Sequence, residues 1–107
     1  MTMKYEAAAK ACAECMTACA HCLDQCIGMP DMAECAKTSR DSMLINAATA
    51  QALASDAPTT KHFVQACLEV CRACLQHCEQ HEDKHDHCRA CAESCRRCIA
   101  ELEKIAA

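Results

Sequence analysis

The chain of 107 residues carries 14 cysteines and a formal net charge of -4. This acidic balance argues against a nucleic-acid-binding protein, which would carry a basic stripe, and no stretch approaches the roughly 18 apolar residues that a membrane-spanning helix needs. Val, Ile, Leu and Phe together supply only 13 residues, so disulfides, metal or self-association must help to hold the fold together.

The N-terminus, MTMKYEAAAKACAEC, has no apolar segment before its first thiol. A secretory signal peptide needs such a segment, and we therefore expect a cytoplasmic protein. Because cytosolic thiols are kept reduced, a dense cysteine pattern in that compartment indicates metal binding more than disulfides.

Three breaks divide the chain into four segments. The only glycine, Gly28, suits the left-handed position after a helix end, and Asp31 is a favourable N-cap for the next helix. Residues 56–60, DAPTT, include a proline and threonines able to cap the third helix. The run at 81–86, HEDKHD, has no apolar side chain and predicts a turn. The predicted helices span about residues 3–27, 31–56, 60–81 and 86–105.

The residues inside these segments favour helix, because Ala, Glu, Lys, Gln, Arg and Leu dominate them. Four helices of roughly 20 residues with short connections are typical of an up-and-down bundle. We therefore predict an all-α fold, an up-and-down antiparallel four-helix bundle, in a single domain spanning residues 1–107.

The cysteines of three helices recur in steps of three and four residues, which is the spacing of positions that face a bundle interior. These ladders comprise Cys12, Cys15, Cys19, Cys22 and Cys26 in the first helix, Cys67, Cys71, Cys74 and Cys78 in the third, and Cys88, Cys91, Cys95 and Cys98 in the fourth. We predict that all of these thiols point inward and that Cys35 adds one more from the second helix.

The same interior positions continue past the thiols and give the bundle two different ends. Apolar side chains gather at one end, namely Tyr5, Ala8, Leu53, Val64, Leu102 and Ile105. Soft or borderline metal ligands gather at the other, namely Cys26, Met29, Met32, Cys35, Cys78, His81, His85 and Cys88. We predict an apolar plug at the first, which we call the closed end, and access for metal at the second, the open end.

Two readings without metal fit these thiols less well. One or two such cysteines would be ordinary small core residues, but fourteen of them leave the leucine and isoleucine of the interior to one end. An intrahelical disulfide would strain the helix, because Cβ atoms three or four residues apart are roughly 5–6 Å apart and a disulfide needs about 3.8 Å.

Soft thiolates select Cu(I), zinc or iron–sulfur clusters, and the cysteine run of ferredoxins is absent. Zinc on four thiolates leaves a charge of about -2 at each buried site, whereas Cu(I) on bridging thiolates leaves the interior near neutral. We therefore predict a chain that holds on the order of ten or more Cu(I) ions. A zinc or general soft-metal buffer and a thiol redox sensor are the alternative functions.

The ladders Cys12–Cys26 and Cys67–Cys78, together with HDHCRAC at residues 85–91, resemble the cytosolic copper storage proteins over essentially the whole chain. The resemblance implies a homotetramer of bundles that store many Cu(I) ions inside each one, with histidines near the open end helping ions to enter. It implies a storage protein and not an enzyme. A cytosolic protein that donates or accepts copper is an expected partner.

The second helix departs from this family, whose members carry several inward cysteines there. Its predicted interior positions are Met32, Cys35, Ser39, Ser42, Asn46, Thr49 and Leu53. The alternative is a rotated helix that turns Met43, Ala47, Ala50 and Ala54 inward. The first arrangement is favoured, and it predicts a metal cluster displaced toward the other three helices.

Four further side chains are weaker ligand candidates. His85 and His87 suit metal transfer, although a solvated charged turn explains His85 equally well. Met29 and Met32 offer thioethers at the open end, and loop packing explains them about as well. A second apolar face lies opposite the thiols and predicts an oligomer interface, because a lone bundle should not expose such a stripe; it comprises Leu44, Ile45, Ala48 and Ala52.

Overall fold

A computed structural model describes residues 3–106 of the chain. Four helices account for most of that range, and no strand occurs within it. They are α1 (Glu6–Cys26), α2 (Ala33–Ser55), α3 (Thr60–Glu79) and α4 (Asp86–Ala106). The helix α1 packs mainly on α2 and α4, and α3 packs on the same two neighbours. The predicted all-α, up-and-down four-helix bundle is therefore confirmed.

The connection between α1 and α2 differs from the prediction in one residue. Gly28 adopts a φ of 83°, so its left-handed conformation is confirmed. The prediction that Asp31 caps α2 is wrong, because Met32 occupies the N-cap position. Asp31 itself has a φ of 66°, whereas an N-cap residue has negative, usually extended, backbone angles. The burial of the Met32 side chain fixes the start of the helix one residue later.

The threonines between α2 and α3 also act differently from the prediction. Thr59 is the N-cap residue of α3 but makes no side-chain capping bond. The Thr60 hydroxyl instead donates to the Ala52 carbonyl at 3.0 Å and accepts the Ala57 N–H at 2.8 Å. It therefore secures the C-terminal end of α2, whose cap residue Asp56 is left-handed at a φ of 46°.

The apolar plug is confirmed at the end of the bundle where α1 begins and α4 ends. Ala8, Leu53, Val64 and Leu102 are buried, and Tyr5 and Ile105 pack against them, as do other half-buried side chains. The charged turn between α3 and α4 is also confirmed. Over the part of the chain that the structure describes, no helix is both long and apolar enough to cross a membrane.

Candidate metal centre

The interior between the plug and the open end is filled by sulfur. All fourteen cysteines are at most 2% exposed, and all are free thiols. Their predicted inward orientation is confirmed. We call this set the thiol column: Cys12, Cys15, Cys19, Cys22, Cys26, Cys35, Cys67, Cys71, Cys74, Cys78, Cys88, Cys91, Cys95 and Cys98.

The helices α1 and α4 face each other thiol to thiol. Because they run antiparallel with matching steps, each cysteine of α1 meets a cysteine of α4 at the same height. The Sγ atoms are 3.7 Å apart between Cys12 and Cys98, 3.8 Å apart between Cys15 and Cys95, and 3.6 Å apart between Cys19 and Cys91. These distances are close enough for one ion to touch both sulfurs and too long for an S–S bond.

The helices α2 and α3 face each other differently, because α2 offers mainly oxygen. One rung is thiol to thiol, with the Sγ atoms of Cys35 and Cys78 3.7 Å apart. Hydroxyls replace sulfur in the next two, where Ser39 lies 4.0 Å from the Cys74 sulfur and Ser42 lies 3.9 Å from the Cys71 sulfur. Four polar side chains of α2 are completely buried: Ser39, Ser42, Asn46 and Thr49.

The rotated alternative for α2 is therefore wrong. Met43, Ala47 and Ala50 are only partly buried, and Ala54 is exposed. Polar side chains can occupy the interior here because each finds a hydrogen-bond partner. Across residues 3–106, every buried side-chain nitrogen or oxygen has one.

Asn46 has the most extensive of these networks. Its Nδ2 donates to the backbone carbonyl of Ser42 at 2.8 Å, to the Ser42 hydroxyl at 3.0 Å and to the Cys71 sulfur at 3.3 Å. Its Oδ1 accepts hydrogen bonds from the thiols of Cys67 at 3.4 Å and Cys98 at 3.2 Å. The amide therefore replaces a thiol in the wall of the column.

Five groups of thiols have sulfur atoms that all lie within 4.8 Å of one another. They are Cys12–Cys67–Cys98, Cys15–Cys71–Cys98, Cys19–Cys74–Cys91–Cys95, Cys22–Cys78–Cys91 and Cys22–Cys26–Cys35–Cys88. Cys22, Cys91 and Cys98 each belong to two groups. Because neighbouring groups share members, a thiolate that binds one ion can bridge to the next along the axis.

His87 stands at the open end within reach of three thiols. Its Nδ1 atom is 3.5 Å from the sulfur of Cys88, 3.6 Å from that of Cys22 and 3.9 Å from that of Cys26. His85 contacts the ring of His87, with the two centroids 5.2 Å apart. Thus His87 touches the column directly, whereas the contact given for His85 is to His87.

The two methionines at the open end differ in burial. Met32 is 2% exposed and belongs to the core, and Met29 is partly buried and packs against it. Their roles as metal ligands stay predictions, as does that of His85.

Ser94 is a buried residue of the site that the sequence pattern did not single out. Its hydroxyl donates to the carbonyl of Cys91 at 2.8 Å and to the sulfur of Cys15 at 3.7 Å. It stands next to the interior position Cys95, on the flank of α4 that faces α1. Its three-residue spacing from Cys91 was the available signal.

Burial and mutual hydrogen bonding keep many of these thiols neutral. Burial is the main cause that raises the pKa of the Cys26 and Cys88 thiols. A hydrogen bond from Cys19 to Cys15 lowers the pKa of Cys15 and raises that of Cys19. Because metals bind the thiolate, loading must release protons, and acid opposes it.

The raised pKa values of Cys26 and Cys88 predict that the metal-free bundle is sensitive to alkali. A free thiol ionises near pH 8.5, so the unfolded chain gains charge above that pH while these buried thiols stay neutral. The folded state therefore loses stability as the pH rises from about 8.5. We expect a lower denaturant midpoint at pH 10 than at pH 7 for the reduced protein. The Cys26→Ser/Cys88→Ser variant should lose less, and an unchanged midpoint at pH 10 would contradict the prediction.

The sequence is similar to known proteins over nearly its full length. The family model described as copper storage protein (Csp) matches residues 1–107. A cysteine-rich protein of Bacillus subtilis (strain 168), YhjQ, is 34% identical over 105 residues, which are 95% of each chain.

Solved structures extend this similarity to the fold. A cytosolic copper storage protein from Streptomyces lividans, studied with five coppers, has a TM-score of 0.90 and 33% identity, covering 95% of this chain and 91% of that one. The Cu(I)-bound copper storage protein BsCsp3 has a TM-score of 0.87 and 34% identity, covering 97% and 100%.

Proposed function

The chain belongs to the copper storage protein family, and from this premise we propose that it stores several Cu(I) ions on the thiolates of its column. One observation carries the proposal: fourteen free thiols, all buried, form overlapping groups along one axis. A structural core would not need sulfur at every interior position, and catalysis would not need so many equivalent groups.

Charge favours Cu(I) over zinc as the main load. Each Cu(I) that displaces one thiol proton leaves the interior charge unchanged, so a column filled at about one ion per sulfur stays near neutral. Zinc on four thiolates leaves about -2 at every site, and several such sites in succession would repel one another in a poorly solvated interior.

Ions enter at the open end in this proposal. His87 is partly exposed and touches Cys22, Cys26 and Cys88, so an ion held by its Nδ1 can pass to any of these thiols. We assign His85, Met29 and Met32 supporting roles in the same transfer. At the opposite end, the plug keeps solvent out of the column.

Binding itself is the function in this proposal, so we assign no catalytic residue and treat residues 1–107 as one domain. We assign the protein to the cytoplasm, where the Streptomyces lividans relative is described. A cytosolic copper donor or acceptor is its expected protein partner. We also propose a homotetramer, supported by the apolar face of α2 and α3, on which Leu44 is 60% and Phe63 37% exposed.

A Cu(I) titration of the reduced protein under anaerobic conditions tests this function. With 14 thiols, we expect more than one ion per two thiols, that is, more than seven Cu(I) ions per chain, counted against a chromophoric Cu(I) chelator. Saturation at one or two ions would refute storage. Retention of a full zinc load against Cu(I) would favour the soft-metal buffer, and rapid labelling of every thiol in the folded protein would favour the redox sensor.

A further inference from the structure

One group in the column combines sulfur with oxygen and draws a ligand from every helix. It comprises Cys12 of α1, Asn46 of α2, Cys67 of α3 and Cys98 of α4. We propose that these four side chains form a closed structural site for one borderline divalent ion, with zinc as its reference ion. This site goes beyond copper storage, and its existence does not depend on it.

The distances suit tetrahedral zinc. With Zn–S near 2.3 Å and Zn–O near 2.1 Å, ligand atoms are separated by about 3.8 Å for S···S and about 3.6 Å for S···O. The Cys12 and Cys98 sulfurs are 3.7 Å apart. The Asn46 Oδ1 atom lies 3.4 Å from the Cys67 sulfur and 3.2 Å from the Cys98 sulfur. Small outward shifts would admit the ion.

The orientation of the Asn46 amide is fixed by its other contacts. Its Nδ2 donates at 2.8 Å to the backbone carbonyl of Ser42, which accepts hydrogen bonds and cannot donate them. Flipping the amide would bring two oxygens together there. The Oδ1 atom therefore has to face Cys67 and Cys98, and it is completely buried with the rest of the side chain.

Metal binding at the three thiols would leave this oxygen in need of a new partner. The thiols of Cys67 and Cys98 donate to it only while they carry protons, and metal ligation removes those protons. A buried acceptor without a donor costs roughly 1–3 kcal/mol. Cu(I) prefers sulfur and is a poor partner for an amide oxygen, whereas zinc accepts oxygen ligands.

Charge supports the same choice. Three thiolates and one neutral amide leave a zinc site with a net charge of about -1, compared with about -2 for four thiolates. Structural zinc sites are closed and four-coordinate. An ion here, beside the plug, would tie all four helices together and leave the sulfur-only groups nearer the open end free for Cu(I).

The test begins with reduced protein that is fully loaded with zinc and freed of excess metal. Cu(I) is then added stepwise while a chromophoric chelator records zinc release. We expect one zinc per chain to be released last. At the point where one zinc remains, its X-ray absorption fine structure should report about three sulfurs near 2.3 Å and one oxygen near 2.1 Å. A shell of four sulfurs, or no late-released zinc, would overturn the proposal.

Variants on the same helix separate the amide from general effects on packing. Asn46→Ala should weaken retention of the last zinc by about 10- to 100-fold while the number of Cu(I) ions bound stays the same or rises. Thr49→Val is the matched control, because the Thr49 hydroxyl donates to the Phe63 carbonyl and not to a thiol; it should keep the late zinc. Equal retention in the wild type and Asn46→Ala would overturn the proposal. If Asn46→Ala does not fold, the sulfur and oxygen count of the wild type decides.

The same titration keeps the two proposals distinguishable. The total of bound Cu(I) tests storage, whereas the identity of the ligands around the last zinc tests the mixed site. A chain that takes up many Cu(I) ions and releases all its zinc early supports storage and refutes the zinc site.

Discussion

Replacing Cys74 and Cys91 together with serine is expected to remove roughly two or more Cu(I) ions from the loaded protein. The Cys91 sulfur is 3.6 Å from that of Cys19 and 3.8 Å from that of Cys74, and Cys91 belongs to two of the overlapping thiol groups. A serine hydroxyl is a poor ligand for Cu(I). The double variant therefore interrupts the column at its centre, and neighbouring thiolates lose the ions that they shared with it.

Two measurements follow this loss. The Cu(I) count at saturation should fall, and the rise in unfolding temperature on loading should shrink, because ions that bind only the folded state stabilise it. Ser94→Ala is the matched control: Ser94 is buried beside Cys91 and Cys95, but its removal leaves every thiol in place. An unchanged Cu(I) count in the double variant would mean that the ions do not lie along the column.

The second large effect is a gain, obtained by giving α2 the thiols that it lacks. Ser39→Cys and Ser42→Cys together should raise the capacity by about two Cu(I) ions, one for each added sulfur. Ser39 lies 4.0 Å from the Cys74 sulfur, and Ser42 lies 3.9 Å from the Cys71 sulfur and 3.2 Å from the Cys19 sulfur. Each new thiolate would therefore have partners within bridging distance.

Thr49→Cys provides the control for this gain. Thr49 is as deeply buried on the same helix, but its hydroxyl bonds to the Phe63 carbonyl near the plug. A thiol there should add little or no copper. If all three substitutions raise the capacity equally, copper binds cysteine wherever it occurs, and the geometry of the column is not what sets the load.

Much of this architecture was predictable because the thiols repeat at the period of a helix. Steps of three and four residues on α1, α3 and α4 identify one face, and a face so rich in sulfur has to be the interior of a bundle. The same periodicity placed Ser39 and Asn46 inside, although local polarity argued for the rotated helix. Buried hydrogen bonds to neighbouring thiols, which only the packed structure reveals, account for that result.

Other features depend on how the helices align with one another, and a single helix does not encode that alignment. Nothing in the pattern distinguishes His85 from His87, yet only the direction of the chain as it enters α4 brings the His87 ring to Cys22 and Cys88. The contact of Asn46 with both Cys67 and Cys98 likewise requires the register of three helices. Asp31 failed as a cap because the preceding turn fixes its backbone in a left-handed conformation.

Anomalous diffraction at the copper absorption edge, from crystals of the Cu(I)-loaded protein, tests the central claim most directly. The thiol column predicts more than seven copper peaks per chain, more than one for every two of the 14 thiols, in a file between the helices from His87 toward Cys12. Copper confined to surface histidines and methionines, or one or two isolated peaks within a bundle whose thiols are otherwise unbound, would contradict it.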